Sequence, residues 1–311
     1  MDRRKFLRAI AITGAAATIK TSGGMDLLAE TLDTTQSGAP DMVAVMGGEP
    51  EVMFKRAIEE MGGIGRYINK GMKVVIKPNI GWDKVPELAG NTNPKLVSEI
   101  VRQCLSAGAS EVVVFDNTCD DWRRCYRSSG IEAAARAAGA KVVPGNEESY
   151  YKTVSLPKGV ILKNAKIHES ILNCDAWINV PILKHHGGAN LSISMKNLMG
   201  IVWDRREFHS KGLQQCIADI CTYSKKPVLN VVDAYRLMKT NGPQGRSEAD
   251  VVLSKGLFIS QDIVAVDTAA TRFFNQVREM PLEHVSHLAN GEKLNLGTTD
   301  INSLNVKRIR L

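Results

Sequence analysis

Short apolar runs that end in polar residues alternate with helical patterns along most of this chain. The clearest runs are rich in Val and Ile and lie at 42–46, 73–76, 111–115 and 251–259. Strands that alternate with helices form a parallel sheet with helices packed against its faces. The sequence therefore predicts an α/β fold with a doubly wound, mostly parallel sheet flanked by helices, and with a small antiparallel excursion across 151–162.

The stretch from 176 to 200 combines a buried strand with an unusual set of polar residues. An apolar run at 177–183 predicts the strand, and it ends in Lys184-His185-His186-Gly187-Gly188. Glycines let the backbone come close to a bound group, and ligands of α/β proteins collect beyond the carboxyl ends of strands. Further donors follow at Ser192, Ser194, Lys196 and Asn197. This pattern predicts an anion site, and the alternative is a solvated loop.

The N-terminus resembles an export signal. Arg3 and Arg4 precede Phe6-Leu7 and an apolar stretch at 9–19, which is too short to cross a bilayer as a helix. Paired arginines in this setting resemble a twin-arginine (Tat) signal, which implies export to the periplasm or another extracytoplasmic compartment and the Tat machinery as a partner. We predict a signal at 1–24, cleaved or retained as an anchor, a linker at 25–40, and a single α/β domain at 41–311.

Composition narrows the choice of partners and cofactors. Residues 1–24 account for +4 of the net charge of +7, and aromatic residues make up 5% of the chain. A weakly charged, aromatic-poor domain does not favour nucleic acid as a partner. The six cysteines include no C-x-x-C pair, so the spacing argues against an iron–sulfur cluster. In an oxidising compartment Cys119 and Cys125 are candidates for a disulfide or a metal site.

Several motifs, taken in order, resemble the domain-of-unknown-function family 362 (DUF362) over roughly residues 72–275. They are KPN at 77–79, PILKHH at 181–186, MKNLMG at 195–200, VVDA at 231–234, NGPQGR at 241–246, the Arg206 and His209 pair, and the aspartates at 262 and 267. Some members of this family carry an appended ferredoxin-like module. This chain has no such cysteine run, so the resemblance implies no cluster here, and the family's chemistry is itself unassigned.

The polar residues at predicted strand ends are the candidate site. Lysine and arginine suit carboxylate or phosphate, and an imidazole titrates near neutrality, so it can transfer protons. The expected substrate-binding residues are Lys77, Asn79, Lys184, Lys196, Asn197, Arg206 and Arg246. The expected catalytic residues are His186, His209, Asp116 and Asp233, and the expected loop glycines are Gly187, Gly188, Gly242 and Gly245.

Three functions remain open from the sequence. The first is an exported enzyme that acts on a small anionic substrate or cofactor through these lysine, histidine and arginine residues. The second is a metal version of the same site, with His185, His186 and His209 as ligands. The third is a non-enzymatic periplasmic protein that binds a cofactor or metal, or assists maturation or a redox partner. The sequence does not specify the cofactor or the oligomeric state.

Overall fold

The fold is described here for residues 38–311 of a computed structural model. The predicted signal at 1–24 and most of the predicted linker lie outside these residues. Within the described range no helix is both long and apolar enough to cross a membrane.

Twelve strands and ten α-helices make up the described chain. The strands are β1 (Met42–Met46), β2 (Lys73–Pro78), β3 (Glu111–Val114), β4 (Lys141–Val142), β5 (Tyr151–Ser155), β6 (Asn164–His168), β7 (Ala176–Val180), β8 (Ile182–His186), β9 (Asn190–Ser192), β10 (Leu229–Met238), β11 (Val251–Ser260) and β12 (Val306–Arg310). The helices are α1 (Pro50–Glu60), α2 (Pro94–Ser106), α3 (Trp122–Ser128), α4 (Ile131–Ala137), α5 (Glu169–Asn173), α6 (Ser194–Asn197), α7 (Arg206–Lys211), α8 (Leu213–Ile220), α9 (Ile263–Phe274) and α10 (His287–Lys293).

The main sheet is mixed but mostly parallel, which confirms the predicted fold class. Its order is β12-β1-β11-β10-β7-β2-β3-β4, with β8 and β9 attached beside β10. The strands β10, β7, β2, β3 and β4 are parallel, whereas β11 is antiparallel to both of its neighbours. The separate β5–β6 pair is the predicted antiparallel excursion.

Two sequence assignments need correction at the level of elements. The second strand of the excursion lies at 164–168 rather than 160–162, because the N–H groups of Val160, Ile161 and Leu162 bond to the Asp219 carboxylate. The predicted strand at 177–183 is divided into β7 and β8 around Pro181, which has no N–H to give to a ladder.

Alternation along the central strands divides the side chains between the two faces of the sheet. Val74 and Ile76 pack on one face, in the core that includes α1 and α2, while Val75 and Trp177 pack on the other, with α8 and α9. Lys77 follows the alternation of Val75, so it belongs to the second face.

The chain changes direction across the sheet between β2 and β7. Connections run outward from β2 through β3 to β4, and then return to place β7 on the opposite side of β2. Ligands of open α/β sheets bind at such a switch point, beyond the carboxyl ends of the strands. Lys77 of β2 and Asn179 of β7 are register partners there.

Candidate functional site

A cavity of about 710 Å³ lies at the carboxyl ends of β2, β3 and β8. It contains most of the residues that the sequence singled out. Five cationic and two acidic side chains line it: Lys77, Lys184, Lys196, Arg205 and Arg206, with Asp116 and Asp204. With its two histidines neutral, the lining carries a net charge of +3.

A buried ion pair forms part of the lining. Lys77 Nζ lies 2.9 Å from Asp116 Oδ1, and Asp116 Oδ2 accepts the Ile80 N–H at 2.7 Å. Burial lowers the pKa of Lys77, and the Asp116 charge opposes that effect. Gly200 passes directly over the pair: a Cβ there would lie 2.5 Å from Lys77 Nζ and would overlap Asp116 Oδ1. Only glycine allows this approach.

A chain of buried amides fixes α6 against the sheet. Asn197 Oδ1 accepts from Lys77 Nζ at 2.8 Å and from Asn79 Nδ2 at 3.2 Å, while Asn197 Nδ2 donates to Asn179 Oδ1 at 2.9 Å. Asn179 Nδ2 in turn donates to Asn230 Oδ1 and to the Ser194 carbonyl, each at 3.0 Å. Every amide orientation is therefore set by its partners.

Asp267 holds the same short helix from the other side. It lies inside α9, is fully buried, and accepts the N–H groups of Ser194 and Met195 at 2.8 Å each. Burial raises its pKa to about 7, against the opposing effect of these hydrogen bonds. Asp267 therefore caps the start of α6.

Lys184 is a buried lysine without a carboxylate partner in the described chain. Its ammonium is 1% exposed and donates to the Gly90 carbonyl at 2.6 Å and to Asn79 Oδ1 at 3.2 Å. Burial, followed by the charge of Lys196, lowers the pKa of Lys184 to about 7. A neutral amine has two N–H groups, so these two acceptors would leave its lone pair unused.

Lys196 is the half-buried cation of the cavity and makes no hydrogen bond or ion pair with any residue from 38 to 311. Burial is the main reason that its pKa falls to about 8. The charges of Arg205 and Lys77 lower it further, while Cys119 and Asp116 act in the opposite direction. Its ammonium is thus available to a bound anion.

Two histidines line the cavity, and His186 is a neutral hydrogen-bonding group. His186 Nδ1 accepts the N–H groups of Gly188 and Ala189, each at 3.0 Å. Burial, with the nearby Lys196 and Lys184 charges, lowers the His186 pKa to about 2. The ring therefore carries its proton on Nε2. The exposed His209 also lines the cavity, and burial and Lys196 lower its pKa.

The proposed metal ligands do not form a set. His185 and His186 are consecutive in β8, so their side chains leave opposite faces of the strand. His185 Nδ1 accepts the Gly242 N–H at 3.0 Å and is already occupied. Throughout residues 38–311, no three histidine, cysteine, aspartate or glutamate side chains converge as a metal site.

Of the predicted catalytic and substrate-binding residues, Asp233 and Arg246 lie outside the cavity. Asp233 is buried and accepts the N–H groups of Asn93 and Tyr235 at 2.7 and 3.0 Å, so it fixes the start of α2. Burial raises its pKa to about 6. Arg246 is exposed, and its backbone N–H bonds to Asp250.

The loop glycines mostly pack against one another. Gly187 N–H donates to the Gly242 carbonyl at 3.3 Å, and a side chain at Gly242 would overlap the His185 carbonyl. Gly245 adopts a positive φ of 72°. From this loop only Pro243 lines the cavity, and Gly188 serves the site indirectly through His186.

Residues at the cavity mouth were not anticipated from the sequence. Arg205 lines the cavity together with the predicted Arg206, and it donates to the carbonyls of Asn117 and Thr118 at 2.8 and 2.5 Å and to Cys119 Sγ at 3.2 Å. In the sequence, only its position next to Arg206 pointed to Arg205 as a site residue.

Cys119 and Cys125 are free thiols. The segment that contains Cys125 forms α3, and burial raises the pKa of this thiol to about 12.

Known proteins resemble this chain over much of its length. The family model described as domain of unknown function (DUF362) matches residues 74–272. The thylakoid-associated protein sll1697 of Synechocystis sp. is 21% identical over 253 residues, which cover 79% of this chain and 75% of that protein.

Two solved structures are more distant. The lactate racemase apoprotein from Thermoanaerobacterium thermosaccharolyticum matches with 13% identity and a TM-score of 0.46, over 80% of this chain and 59% of that one. A structural-genomics protein from Thermotoga maritima matches with 13% identity and a TM-score of 0.47, over 74% and 60%. The chain thus spans about three-fifths of the length of these two solved chains.

Proposed function

This chain belongs to the DUF362 family, and we propose that its cavity binds a small carboxylate- or phosphate-bearing anion and catalyses an acid–base reaction on it. The observation that carries the proposal is Lys196, an ammonium in the cavity that no residue from 38 to 311 neutralises. An unpaired, partly desolvated charge is costly, and an anionic ligand removes that cost.

The rest of the lining supports an anion in this position. Five cations face two carboxylates, and one of those carboxylates, Asp116, is already paired with Lys77. Lys184 has only neutral acceptors. His186, with its proton on Nε2, adds a neutral donor. Together these groups favour a ligand with at least one full negative charge.

We assign the proton-transfer role to Lys184. A lysine whose pKa is held near 7 is neutral in part of the population at physiological pH, which is the condition for a general base. Its two N–H groups have acceptors, and the remaining lone pair can take a proton from the substrate. His186 fits this role less well than the sequence suggested, because Nδ1 is occupied by two backbone N–H groups and the pKa is about 2.

In this mechanism the bound anion makes Lys184 a stronger base and lowers the fraction of it that is neutral at pH 7. Lys196 binds the negative group, and the new negative charge raises the pKa of the neighbouring Lys184. Lys184 then holds an abstracted proton more firmly than it does in the free protein. Asn79 and the Gly90 carbonyl orient the amine throughout.

The binding step is tested by titration calorimetry with sulfate, whose charge is constant from pH 5 upward. We expect saturable binding to the wild type and a loss of at least about tenfold in affinity in Lys196→Met. Lys152→Met, at an exposed position of β5, is the matched control and should bind normally. Equal affinity of Lys196→Met and wild type would overturn the proposal.

We also propose export by the twin-arginine route, on the basis of Arg3, Arg4 and the apolar stretch at 9–19. Cell fractionation of the full chain tests this. The Arg3→Lys, Arg4→Lys double variant should remain in the cytoplasm while the wild type is recovered outside it. Equal distribution of the two proteins would contradict the proposal.

A further inference from the structure

We propose that the anion carries a flat aromatic or heteroaromatic ring, held against the indoles of Trp82 and Trp203. This inference rests on the anion site proposed above and names the class of ligand that would fill it. Its starting point is that two of the four tryptophans of the chain line this one cavity.

The size of the cavity is the first argument. A volume of about 710 Å³ lies in the range of sites that enclose a drug-sized organic ligand, roughly 300–1,000 Å³. An inorganic anion at Lys196 would occupy a small part of this space. The remaining volume must suit another portion of the ligand, and the lining there decides its chemistry.

The second argument is that the Trp82 indole is partly exposed and lacks a ring partner among the described residues. Trp122 packs edge-on against Tyr126 and under the Arg123 guanidinium, and Trp177 is 1% exposed in the core. Trp82, by contrast, is half-exposed, and within the described chain its ring has no aromatic or guanidinium partner. Large indole faces are seldom left open to a cavity unless a ligand covers them.

Both indoles are carried by backbone that is held in place. The side chain of Asn91, which is 2% exposed, accepts a hydrogen bond from the backbone N–H of Trp82 at 3.0 Å and donates to the Trp82 carbonyl at 2.9 Å. The backbone N–H of Trp203 donates to the Lys166 carbonyl at 3.0 Å. The indole of Trp203 packs against the ring of Tyr151, and the two ring centroids are 5.4 Å apart. The backbone is thus held at both tryptophans, and the Trp203 ring is also held by its contact with Tyr151, which reduces the entropy lost on binding.

A flat ring fits these walls better than an aliphatic group. An aliphatic group would gain contact area alone, whereas an aromatic ring also gains the favourable stacking geometry of two π-systems. The cationic groups of the site would hold the anionic substituent, so that the charged and aromatic parts of the ligand occupy different parts of one cavity.

The test compares phosphate monoesters of matched size on the full chain by calorimetry. Phenyl phosphate should bind at least about tenfold more tightly than cyclohexyl phosphate and methyl phosphate. Trp82→Leu and Trp203→Leu should each reduce phenyl phosphate affinity by a larger factor than they reduce sulfate affinity, and so lower this preference. Trp122→Leu, outside the cavity, should retain the preference. Thermal unfolding of each variant verifies that it is folded.

The outcomes separate this inference from the one on which it rests. If sulfate binds but phenyl and cyclohexyl phosphate bind equally, the aromatic ligand is ruled out while the anion site stands. If no anion binds, both proposals fall. Benzoate and cyclohexanecarboxylate, run in parallel, distinguish a carboxylate from a phosphate head group, and a ring preference within either pair supports the inference.

Discussion

At the scale of single residues, the site depends on lysines that differ in how they are neutralised. Lys77 has Asp116, Lys184 has only neutral acceptors, and Lys196 has no hydrogen-bonding or ion-pair partner from residue 38 onward. The ordinary pKa of 10.5 falls in all three because burial disfavours the charged amine. Neither Lys184 nor Lys196 forms an ion pair with a carboxylate from residue 38 onward, so we propose these two as the functional lysines.

The proton equilibrium of Lys184 is directly measurable. In protein labelled with ¹³C-lysine, the Cε resonance that disappears in Lys184→Met belongs to this residue. We expect its titration midpoint near 7 in the free protein, with a shift to higher pH in saturating sulfate. A midpoint near 10 in the free protein would remove Lys184 as the candidate base.

The pH dependence of anion affinity follows from Lys196. A bound anion favours the ammonium form, so binding is coupled to proton uptake at pH values around and above the free pKa of about 8. Sulfate affinity should therefore fall as the pH rises from 7 to 10. In Lys196→Arg the positive charge persists to higher pH, so calorimetry should find that sulfate affinity falls less steeply with pH than in the wild type. Identical pH profiles of sulfate affinity for the two proteins would show that Lys196 does not cause the pH dependence.

Burial of these lysines also affects stability. Their pKa values lie below the unfolded value, so the unfolded protein binds more protons than the folded protein between about pH 7 and 10.5. The contribution of Lys184 and Lys196 to the free energy of unfolding therefore rises with pH across this window. Chemical denaturation of wild type and Lys184→Met over pH 7–10 should give curves that diverge in favour of the wild type as pH rises; parallel curves would contradict this.

At the scale of elements, α6 and the turn after it carry the site. This short segment holds both Lys196 and Asn197, and it is fixed by Asp267 on one side and by the buried amides on the other. The Gly200 backbone then crosses the Lys77–Asp116 pair. Changes at either point should reach the cavity without altering a residue that touches the ligand.

Gly200→Ala tests the close approach of the Gly200 backbone to the Lys77–Asp116 ion pair. The added methyl group would collide with Asp116 and Lys77, both buried, and breaking a buried ion pair costs about 3–5 kcal/mol. We expect a loss of stability of that order and a loss of sulfate binding. Gly187→Ala is the control, because its nearest neighbour would be 3.9 Å away. A Gly200→Ala protein as stable as Gly187→Ala would contradict the packing described here.

Asp267→Asn tests the cap of α6. One of the two N–H groups would face an amide donor, so we expect a loss of about 1–3 kcal/mol in stability together with weaker sulfate binding. Asp262→Asn, at the N-cap of the same helix α9, should reduce stability without changing affinity, because Asp262 bonds to Val264, Ala265 and Thr298 rather than to α6. Equal effects of the two variants on affinity would show that α6 does not depend on Asp267.

Elements that depend on local patterns were predictable. Apolar runs located β1, β2, β3 and β11. Asn93 and Asp262 occupy N-cap positions in the structure, and both residue types are favoured at such positions. The break at Pro181 was not predicted, because this proline lies inside a continuous apolar run. The position of β6 was not predicted either, because it depends on Asp219, which lies 57–59 residues further along the chain. The final strand β12 was not predicted from the sequence.

At the scale of the whole molecule, the site is assembled from segments far apart in the chain. Lys77 and Asn197 are 120 residues apart, and Lys184 and the Gly90 carbonyl are 94 apart. The sequence could list polar residues at strand ends, but only the strand order decides which ends meet. The β2–β7 switch point brings Lys77, Asn179 and α6 together, while Asp233 and Arg246 lie outside the cavity.

The central claim is that Lys196 binds an anion inside the cavity. Crystals soaked in selenate, at a concentration above the dissociation constant measured in solution, test it most directly, because selenium scatters anomalously. The account predicts an anomalous peak inside the cavity, within hydrogen-bonding distance of Lys196 Nζ, and no such peak in Lys196→Met. Selenate found only at surface sites, with no peak in the cavity of the wild type, would contradict it.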